Sequence, residues 1–339
     1  MEANLQEYEF NQALQMIEEE KISDEEKVEM LMEIAKGIQQ KPKSSKELYN
    51  AIKLYDKALE ICPSTEKLLI ARVEAKKGTA YQAIPEDGLN NLNLAQAQYE
   101  SSIPVLTELG VPEEVAEAEM NLGLVLQTLF GMGKVPITEC ITAYQRSLKV
   151  FDSKKFPSEY AILHNNLATA FLSIPMNDER SKMREAMAVQ SFEAALKVVN
   201  LIDHPTEYAM LQNNLGNALQ YASSSHPVEN NLRSIEAYDE ALKVRNERDT
   251  PLEFANTICN KANSLRNLPD DFDKPEIGNR ENLMIAQELY RKASSIFKLN
   301  GDLAKVSVVE EVLQEVAQDL GTGKSGSREG QGFGNARIS

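Results

Sequence analysis

Apolar residues recur along this chain at the three- and four-residue intervals of an α-helix, and the pattern itself repeats. Residues 159–168 read EYAILHNNLA, and residues 207–216, an offset of 48, read EYAMLQNNLG. A second matched segment follows each copy, SFEAALKV at 191–198 and AYDEALKV at 237–244. A repeat of this length predicts a stack of similar helical units rather than a single globular core.

One aromatic residue marks the second helix that we predict in each unit. Six aromatics recur at spacings of 44, 45, 48, 46 and 52 residues: Tyr55, Tyr99, Tyr144, Phe192, Tyr238 and Tyr290. A small residue lies four positions before each aromatic and another lies three positions after it, and an aliphatic residue follows at six. Offsets of −4, +3 and +6 or +7 share one face of an α-helix, and small residues beside a ring allow two helices to approach closely.

A proline opens the first helix that we predict in four of the units. A glycine or alanine follows it eleven residues later, in the pairs Pro112 and Gly123, Pro157 and Ala168, Pro205 and Gly216, and Pro251 and Ala262. Proline suits the first turn of a helix, where its missing N–H costs nothing. Because glycine inside a helix costs about 1 kcal/mol relative to alanine, a recurring small residue indicates close contact between helices.

The two ends of the chain differ from the repeats. Residues 1–43 are acidic and predict a helical end cap, with a capping box from Ser23 to Glu26 and stop signals at Gly37 and Pro42. An acidic docking arm is the alternative interpretation of this segment. The repeat array of about six units spans 44–300, a capping helix spans 301–320, and the Gly/Ser-rich tail 321–339 is predicted to be disordered.

Net charge narrows the range of partners. The formal charge of −16 makes a nucleic-acid phosphate backbone an unfavourable ligand and favours a basic segment in a protein partner. The alternative is that the acidic surface serves only solubility. No run of eighteen apolar residues predicts a membrane span, and the acidic start lacks the features of a secretory signal, so we expect a cytoplasmic protein.

Residues for catalysis are sparse and scattered. The three cysteines, Cys62, Cys140 and Cys259, lie far apart and are interpreted as packing residues, and the three histidines do not cluster. Residues 321–325 read GTGKS, but they lack the earlier glycine and the strand of a phosphate-binding loop. We therefore predict no enzyme activity, no cofactor and no metal site.

The residues then carry a family resemblance. The sequence NLGNA at 214–218 followed by AYDEAL at 237–242 resembles the tetratricopeptide repeat, which pairs Leu-Gly in one helix with an Ala, an aromatic and a second Ala in the next. The likeness covers roughly residues 44–300, with a period of 44–52 against the family's 34. It implies an all-α fold, a right-handed superhelical solenoid of helix-turn-helix repeats.

The resemblance also implies a concave groove lined by first helices, which would bind a partner. The residues placed there are Asn165, Asn166, Thr169, Asn213, Asn214, Asn217, Tyr221, Asn260, Asn263 and Arg266. Two interpretations of the asparagines stay open: a ladder of amides for the backbone of a bound peptide, or bonding between stacked units. A carboxylate clamp of the kind that the family uses is not predicted, because Lys261 and Arg266 are its only basic candidates and share one unit.

These expectations converge on a non-enzymatic scaffold for protein interactions. It would hold an extended segment or a helix of a partner in its groove, in the assembly or maturation of a protein complex, as an assembly factor or chaperone-like protein. The alternative is a regulator that senses a peptide or ligand by changing the curvature of the solenoid. Self-association through an end cap is a further option.

Overall fold

The computed structural model describes residues 21–40, 42, 44–174, 180–222 and 226–322. Within these ranges it contains thirteen α-helices, one short 3-10 helix and no strand. The chain divides into two compact units between Asp152 and Ser153. The prediction of an all-α helical repeat fold is confirmed, whereas the domain boundaries at 43/44 and 300/301 remain predictions.

The first unit consists of three helix pairs. Its helices are α1 (Asp24–Gln40), α2 (Ser45–Ile61), α3 (Lys67–Gln82), α4 (Gly88–Leu109), α5 (Pro112–Gly131) and α6 (Ile137–Ser147). Consecutive helices contact each other as α1 with α2, α3 with α4 and α5 with α6. The first helices of successive pairs also touch, α1 with α3 and α3 with α5, which is the contact pattern of stacked repeats.

The second unit continues the pattern and adds a final helix. Its helices are α7 (Pro157–Ser173), α8 (Ser181–Leu196), α9 (Pro205–Gln220), α10 (Pro227–Leu242), α11 (Pro251–Arg266), α12 (Arg280–Leu299) and α13 (Leu303–Thr322), with the 3-10 helix at Pro275–Ile277. The pairs are α7 with α8, α9 with α10 and α11 with α12, and α13 packs on α12. Here too the first helices touch, α7 with α9 and α9 with α11.

The six predicted aromatics are the centres of the pairs. Each of the six rings is fully buried, and so are the small residues four before and three after it. Four of the five tyrosines donate their hydroxyl to a glutamine near the C-terminal end of the paired first helix: Tyr55 to Gln39 (2.6 Å), Tyr99 to Gln82 (3.3 Å), Tyr144 to Gln127 (2.8 Å) and Tyr238 to Gln220 (3.0 Å). A buried hydroxyl thus keeps a hydrogen bond while its ring fills the core.

The small residues predicted in the first helices lie against these rings. A Cβ atom added at Gly123 would lie 2.4 Å from Tyr144, and one added at Gly216 would lie 2.5 Å from Tyr238. At Gly78 the corresponding distance to Tyr99 is 3.1 Å. Gly123 and Gly216 therefore allow close approach of the ring, as their spacing predicted, and Gly78 has the same role in α3.

The aliphatic residue after each aromatic is buried at a different position from the one emphasised in the sequence. The side chain seven residues after the ring is the one removed from solvent in five repeats: Cys62, Leu106, Phe151, Val199 and Phe297. At six residues only Ile296 is buried. Seven residues lie close to two full turns of 3.6, so that position returns to the face of the ring.

Helix α1 begins at the predicted capping box and ends at Gln40, after the first predicted stop signal, Gly37, and before the second, Pro42. The Ser23 hydroxyl accepts the Glu26 N–H at 3.2 Å, and the Glu26 carboxylate accepts the Ser23 N–H at 2.9 Å, which is the reciprocal capping box. The stop signal at Gly37 was wrong, because α1 continues to Gln40. Burial of Val28, Leu31 and Ala35 outweighs the small helical cost of one exposed glycine.

At the other end α13 spans Leu303–Thr322, beside the 301–320 expected for a capping helix, and its role as a cap remains a prediction. The predicted opening helix before residue 21 and the tail from 323 onward lie outside the described residues, as does most of the GTGKS segment. In the part of the chain that is described, no helix combines the length and the apolar character needed to cross a membrane.

A matched pair of glycine substitutions tests the role of the ring contact. Gly216→Ala should destabilise the protein by about 1–3 kcal/mol, because the added methyl overlaps the Tyr238 ring. Gly37→Ala should be neutral or stabilising by up to about 1 kcal/mol, because nothing lies within 4 Å of the new methyl. Urea unfolding followed by circular dichroism measures both, and equal effects of the two substitutions would contradict the close-approach argument.

Candidate functional site

Most of the predicted partner-binding residues lie on α7, α9 and α11, the three first helices of the second unit. Asparagine is a poor helix former because its side chain competes for backbone hydrogen bonds. Its repeated use in the middle of these helices therefore needs a compensating interaction. The side-chain contacts of α7, α9 and α11 supply one.

Four asparagines form a hydrogen-bonded row from α7 to α9. Asn165 donates to Asn166 at 3.2 Å, and Asn213 donates to Asn214 at 3.2 Å. Between the helices, Nδ2 of Asn214 donates to Oδ1 of Asn165 at 2.7 Å. Three of the four side chains, Asn165, Asn166 and Asn213, are buried. Their amides therefore form hydrogen bonds with each other instead of with water.

The row continues from α9 to α11. Oγ1 of Thr257, which is fully buried, lies 3.2 Å from Oδ1 of Asn213. Nδ2 of Asn260 approaches the same oxygen at 3.4 Å, a long hydrogen bond. Three successive first helices are thus joined through neutral side chains, and we call Asn165, Asn166, Asn213, Asn214, Thr257 and Asn260 the asparagine row.

Of the two interpretations of the asparagines, these contacts favour bonding between stacked units. The amide donors of Asn165, Asn213, Asn214 and Asn260 are already used inside the protein. Nδ2 of Asn166 differs, because it is buried without a hydrogen-bond partner. Binding of a partner by the row remains a prediction.

Two more of the predicted residues support the buried rings. Oδ1 of Asn217 lies 2.8 Å from the Tyr238 hydroxyl and shares its single proton with Gln220, and Oδ1 of Asn263 accepts the hydroxyl of Tyr290. The hydroxyl of Thr169 donates to the backbone carbonyl of Asn166 at 2.9 Å. Replacing Asn214 and Asn217 with alanine would therefore remove contacts within the fold. A loss of partner binding in that double variant would not show that these side chains contact the partner.

The last two predicted residues are placed differently from each other. Tyr221, the C-cap residue of α9, keeps 46% of its surface exposed. Arg266, at the end of α11, donates to Glu315 of α13 at 3.2 Å. Lys261 is paired with Asp239. Both basic candidates for a carboxylate clamp therefore have carboxylate partners within the second unit.

The sequence analysis missed one polar residue beside the row, Arg245. It occupies the position seven after the aromatic, where the other five repeats bury an apolar side chain. Its Nη1 donates to Oγ1 of Thr257 at 2.9 Å. The polar residue could have been found from the sequence by comparing position seven in all repeats. Val244 at position six fits the aliphatic pattern, so the pattern alone does not single out Arg245.

In the first unit, α3 and α5 are joined by ion pairs, whereas the amide of Gln39 on α1 donates to the backbone carbonyl of Lys76 on α3 at 3.3 Å. The Arg72 guanidinium on α3 contacts both carboxylate oxygens of Glu114 on α5, at 2.7 and 3.3 Å. Lys76 pairs with Glu117 at 2.6 Å. A shallow cavity lies beside these pairs, and Thr79, Tyr99 and Asn121 contribute to its wall. The two units thus use different chemistry at the same place in the repeat.

Within the described residues, no group of three or more His, Cys, Asp or Glu side chains is arranged to hold a metal ion. The cysteines are buried as free thiols, and burial raises the pKa of Cys140 and of Cys259 to about 12. A thiol with so high a pKa is a weak nucleophile at neutral pH. The cysteines therefore act as packing residues, as predicted.

His164 packs against Tyr160 on α7, with 4.3 Å between the ring centroids. Its Nδ1 is buried without a hydrogen-bond partner, and burial lowers the pKa of the imidazole. The surroundings therefore hold this side chain in its neutral form.

No protein-family model matches the chain, and no curated protein matches it. The tetratricopeptide resemblance therefore remains a prediction, while the helical repeat fold rests on the helices described above.

Among the solved structures that are similar to this chain is a Rap protein complexed with competence and sporulation factor, at 13% identity and a TM-score of 0.43, over 87% of this chain and 75% of that one. Another is BtubC (BKLC) from P. vanneervenii, at 16% identity and a TM-score of 0.37, over 90% of this chain and 97% of that one.

Removing one member of the asparagine row should weaken the fold. Asn214→Ala takes away the donor to Asn165 and the acceptor for Asn213, and should cost about 1–3 kcal/mol, since buried polar partners are left unpaired. Asn93→Ala, at an exposed position in α4, should be neutral or slightly stabilising. Urea unfolding gives the free energy of unfolding of both variants. An Asn214→Ala variant as stable as the wild type would contradict a structural role for the asparagine row.

The environment of His164 predicts a pH effect. Its folded-state pKa lies below the unfolded value of about 6.5. The unfolded chain therefore takes up a proton first, so stability should fall as pH drops below about 6.5 and level off below the folded-state pKa. Measured between pH 7.5 and 5, the decline should be smaller in His164→Gln, which copies Gln212 of the next first helix. Identical pH profiles for the two proteins would contradict this.

Proposed function

We propose that this helical repeat protein is a non-enzymatic, cytoplasmic scaffold of tetratricopeptide type. It binds an extended segment or a helix of a partner protein along the face of its first helices, in the assembly or maturation of a protein complex. The observation that supports this is the continuous seam from α7 through α9 to α11. It brings the amides and the hydroxyl of the asparagine row together across three repeats.

Two side chains along the first helices give the proposal its specific support. Nδ2 of Asn166 is a buried donor without a partner, and a group of this kind costs about 1–3 kcal/mol unless an acceptor reaches it. A bound segment would supply that acceptor through a backbone carbonyl once binding displaces the side chains that cover the donor. Tyr221 exposes nearly half of a large ring at the end of α9, and tyrosine is enriched in protein interfaces.

Two exposed tyrosines provide a matched test. Tyr221→Ala removes an exposed ring from the C-terminal end of the first helix α9, and Tyr49→Ala removes a ring of similar exposure, 40%, from the second helix α2. Affinity capture from native cell extract, with each variant first shown to melt like the wild type, should recover a partner with wild type and Tyr49→Ala and lose it with Tyr221→Ala.

Two results would count against the proposal. Equal capture by all three proteins would move the contact away from the first helices. Failure of the wild type to retain any protein would contradict the scaffold role itself.

A further inference from the structure

Two residues in the last repeats are polar at positions where the equivalent residues of the other repeats are apolar and buried. Seven residues after the aromatic, five repeats bury Cys62, Leu106, Phe151, Val199 or Phe297, and the remaining repeat has Arg245. Six residues after the first residue of α3, α5, α7 and α9, the chain buries Val73, Ala118, Leu163 and Leu211, and α11 has Thr257. Internal comparison thus identifies Arg245 and Thr257 as polar residues in apolar positions.

The two exceptions contact each other. Nη1 of Arg245 donates to Oγ1 of Thr257 at 2.9 Å. A guanidinium withdrawn from water is expensive, and apolar side chains of similar volume in its place are often neutral or stabilising. The chain itself uses such side chains at Val199 and Leu211, so the polar pair is not needed for a stable repeat.

Arg245 also lacks the partner that other arginines of this chain have. Arg72 pairs with Glu114, Arg146 with Glu119, and Arg233 with Glu193. In the part of the chain that the structure describes, no carboxylate lies within 4.0 Å of the Arg245 guanidinium. Burial lowers the pKa of Arg245, and the carboxylate of Glu253, one turn before Thr257, opposes that shift from a greater distance.

The location of this guanidinium connects it to the proposed binding face. Thr257, which accepts from Arg245, also lies 3.2 Å from Oδ1 of Asn213 in the asparagine row. Asn260 approaches the same oxygen. A partly buried cation therefore lies at the end of a row of neutral polar side chains, an environment in which a charge-assisted hydrogen bond is strong.

We infer that Arg245 anchors a carboxylate carried by the bound partner segment; this rests on the proposed function and names the chemistry of its ligand. A free C-terminus and an Asp or Glu side chain share that chemistry. The protein has a formal charge of −16 and repels acidic ligands at long range, so the carboxylate is a single group within a neutral or basic segment. Arg245 then selects partner segments by the position of that carboxylate along the segment.

A defined peptide pool tests the inference without knowledge of the natural partner. Random fifteen-residue peptides with free C-termini are synthesised as a soluble library, selected by binding to the immobilised full chain and identified by mass spectrometry, and the enriched sequences are then made individually. Each is made in its original form, with every Asp and Glu replaced by Asn and Gln, and with an amidated C-terminus. Affinities are then measured for wild type, Arg245→Gln and Arg233→Gln.

Neutralising one carboxylate of the peptide should lower its affinity for the wild type about tenfold or more, as a charge-assisted bond requires. The same change should have little effect on binding to Arg245→Gln, which can still donate to Thr257 but has no charge. Arg233→Gln removes an equal charge from α10 and should behave like the wild type. The amidated and side-chain arms identify which carboxylate is bound.

The outcomes separate this inference from the proposed function. Peptides that bind wild type and Arg245→Gln with the same dependence on their carboxylates would overturn the carboxylate inference and leave the scaffold proposal standing. A wild-type chain that enriches no peptide would count against both.

A stability measurement excludes a purely structural role for the pair. The double variant Arg245→Val with Thr257→Leu copies Val199 and Leu211 of the preceding repeat. It should melt at the same or a higher temperature than the wild type and lose the preference for carboxylate-bearing peptides. A lower melting temperature with an unchanged preference would overturn the inference.

Discussion

Contact between one aromatic ring and one residue with little or no side chain determines how each helix pair of this protein is built. Where the small residue is Gly123 or Gly216, the ring lies so close that a single methyl group would overlap it. The close approach fixes the position of the ring, and with it the acceptor for the ring hydroxyl on the first helix. The repeat built around Phe192 shows the dependence: its ring has no hydroxyl, and Leu172 takes the place that glutamine has in α3, α5 and α9.

Much of the fold could be predicted because its main contacts join residues close in sequence. A ring and its small partner are about twenty residues apart, so both lie within one repeat. Because the repeat recurs along the chain, the pair recurs at a fixed spacing and can be recognised in the sequence. The extent of α1 could not be predicted in the same way, because Gly37 lies in a helix whose length depends on burial of Val28 and Leu31. The buried apolar residue lies seven positions after the aromatic, one position later than predicted. An aliphatic residue also occurs six positions after each aromatic, so the sequence alone does not distinguish the two positions.

The candidate site was harder to predict than the fold because two roles require the same residues. An asparagine that bonds a peptide and an asparagine that bonds its counterpart in the next repeat both lie on the exposed face of an isolated helix. Only stacking decides which atoms meet, as when Asn214 reaches Asn165 across 49 positions of sequence. The composition of that face was predictable, whereas the pairing of its atoms depended on three-dimensional geometry.

The contrast between the seams of the two units has a consequence for ionic strength. Arg72 with Glu114 and Lys76 with Glu117 are partly exposed ion pairs, and dissolved salt screens such pairs over a Debye length of about 8 Å at physiological concentration. The amides of the second unit carry no net charge and are indifferent to that screening. A rise in salt concentration therefore weakens the contact between α3 and α5 and leaves the asparagine row of the second unit as it was.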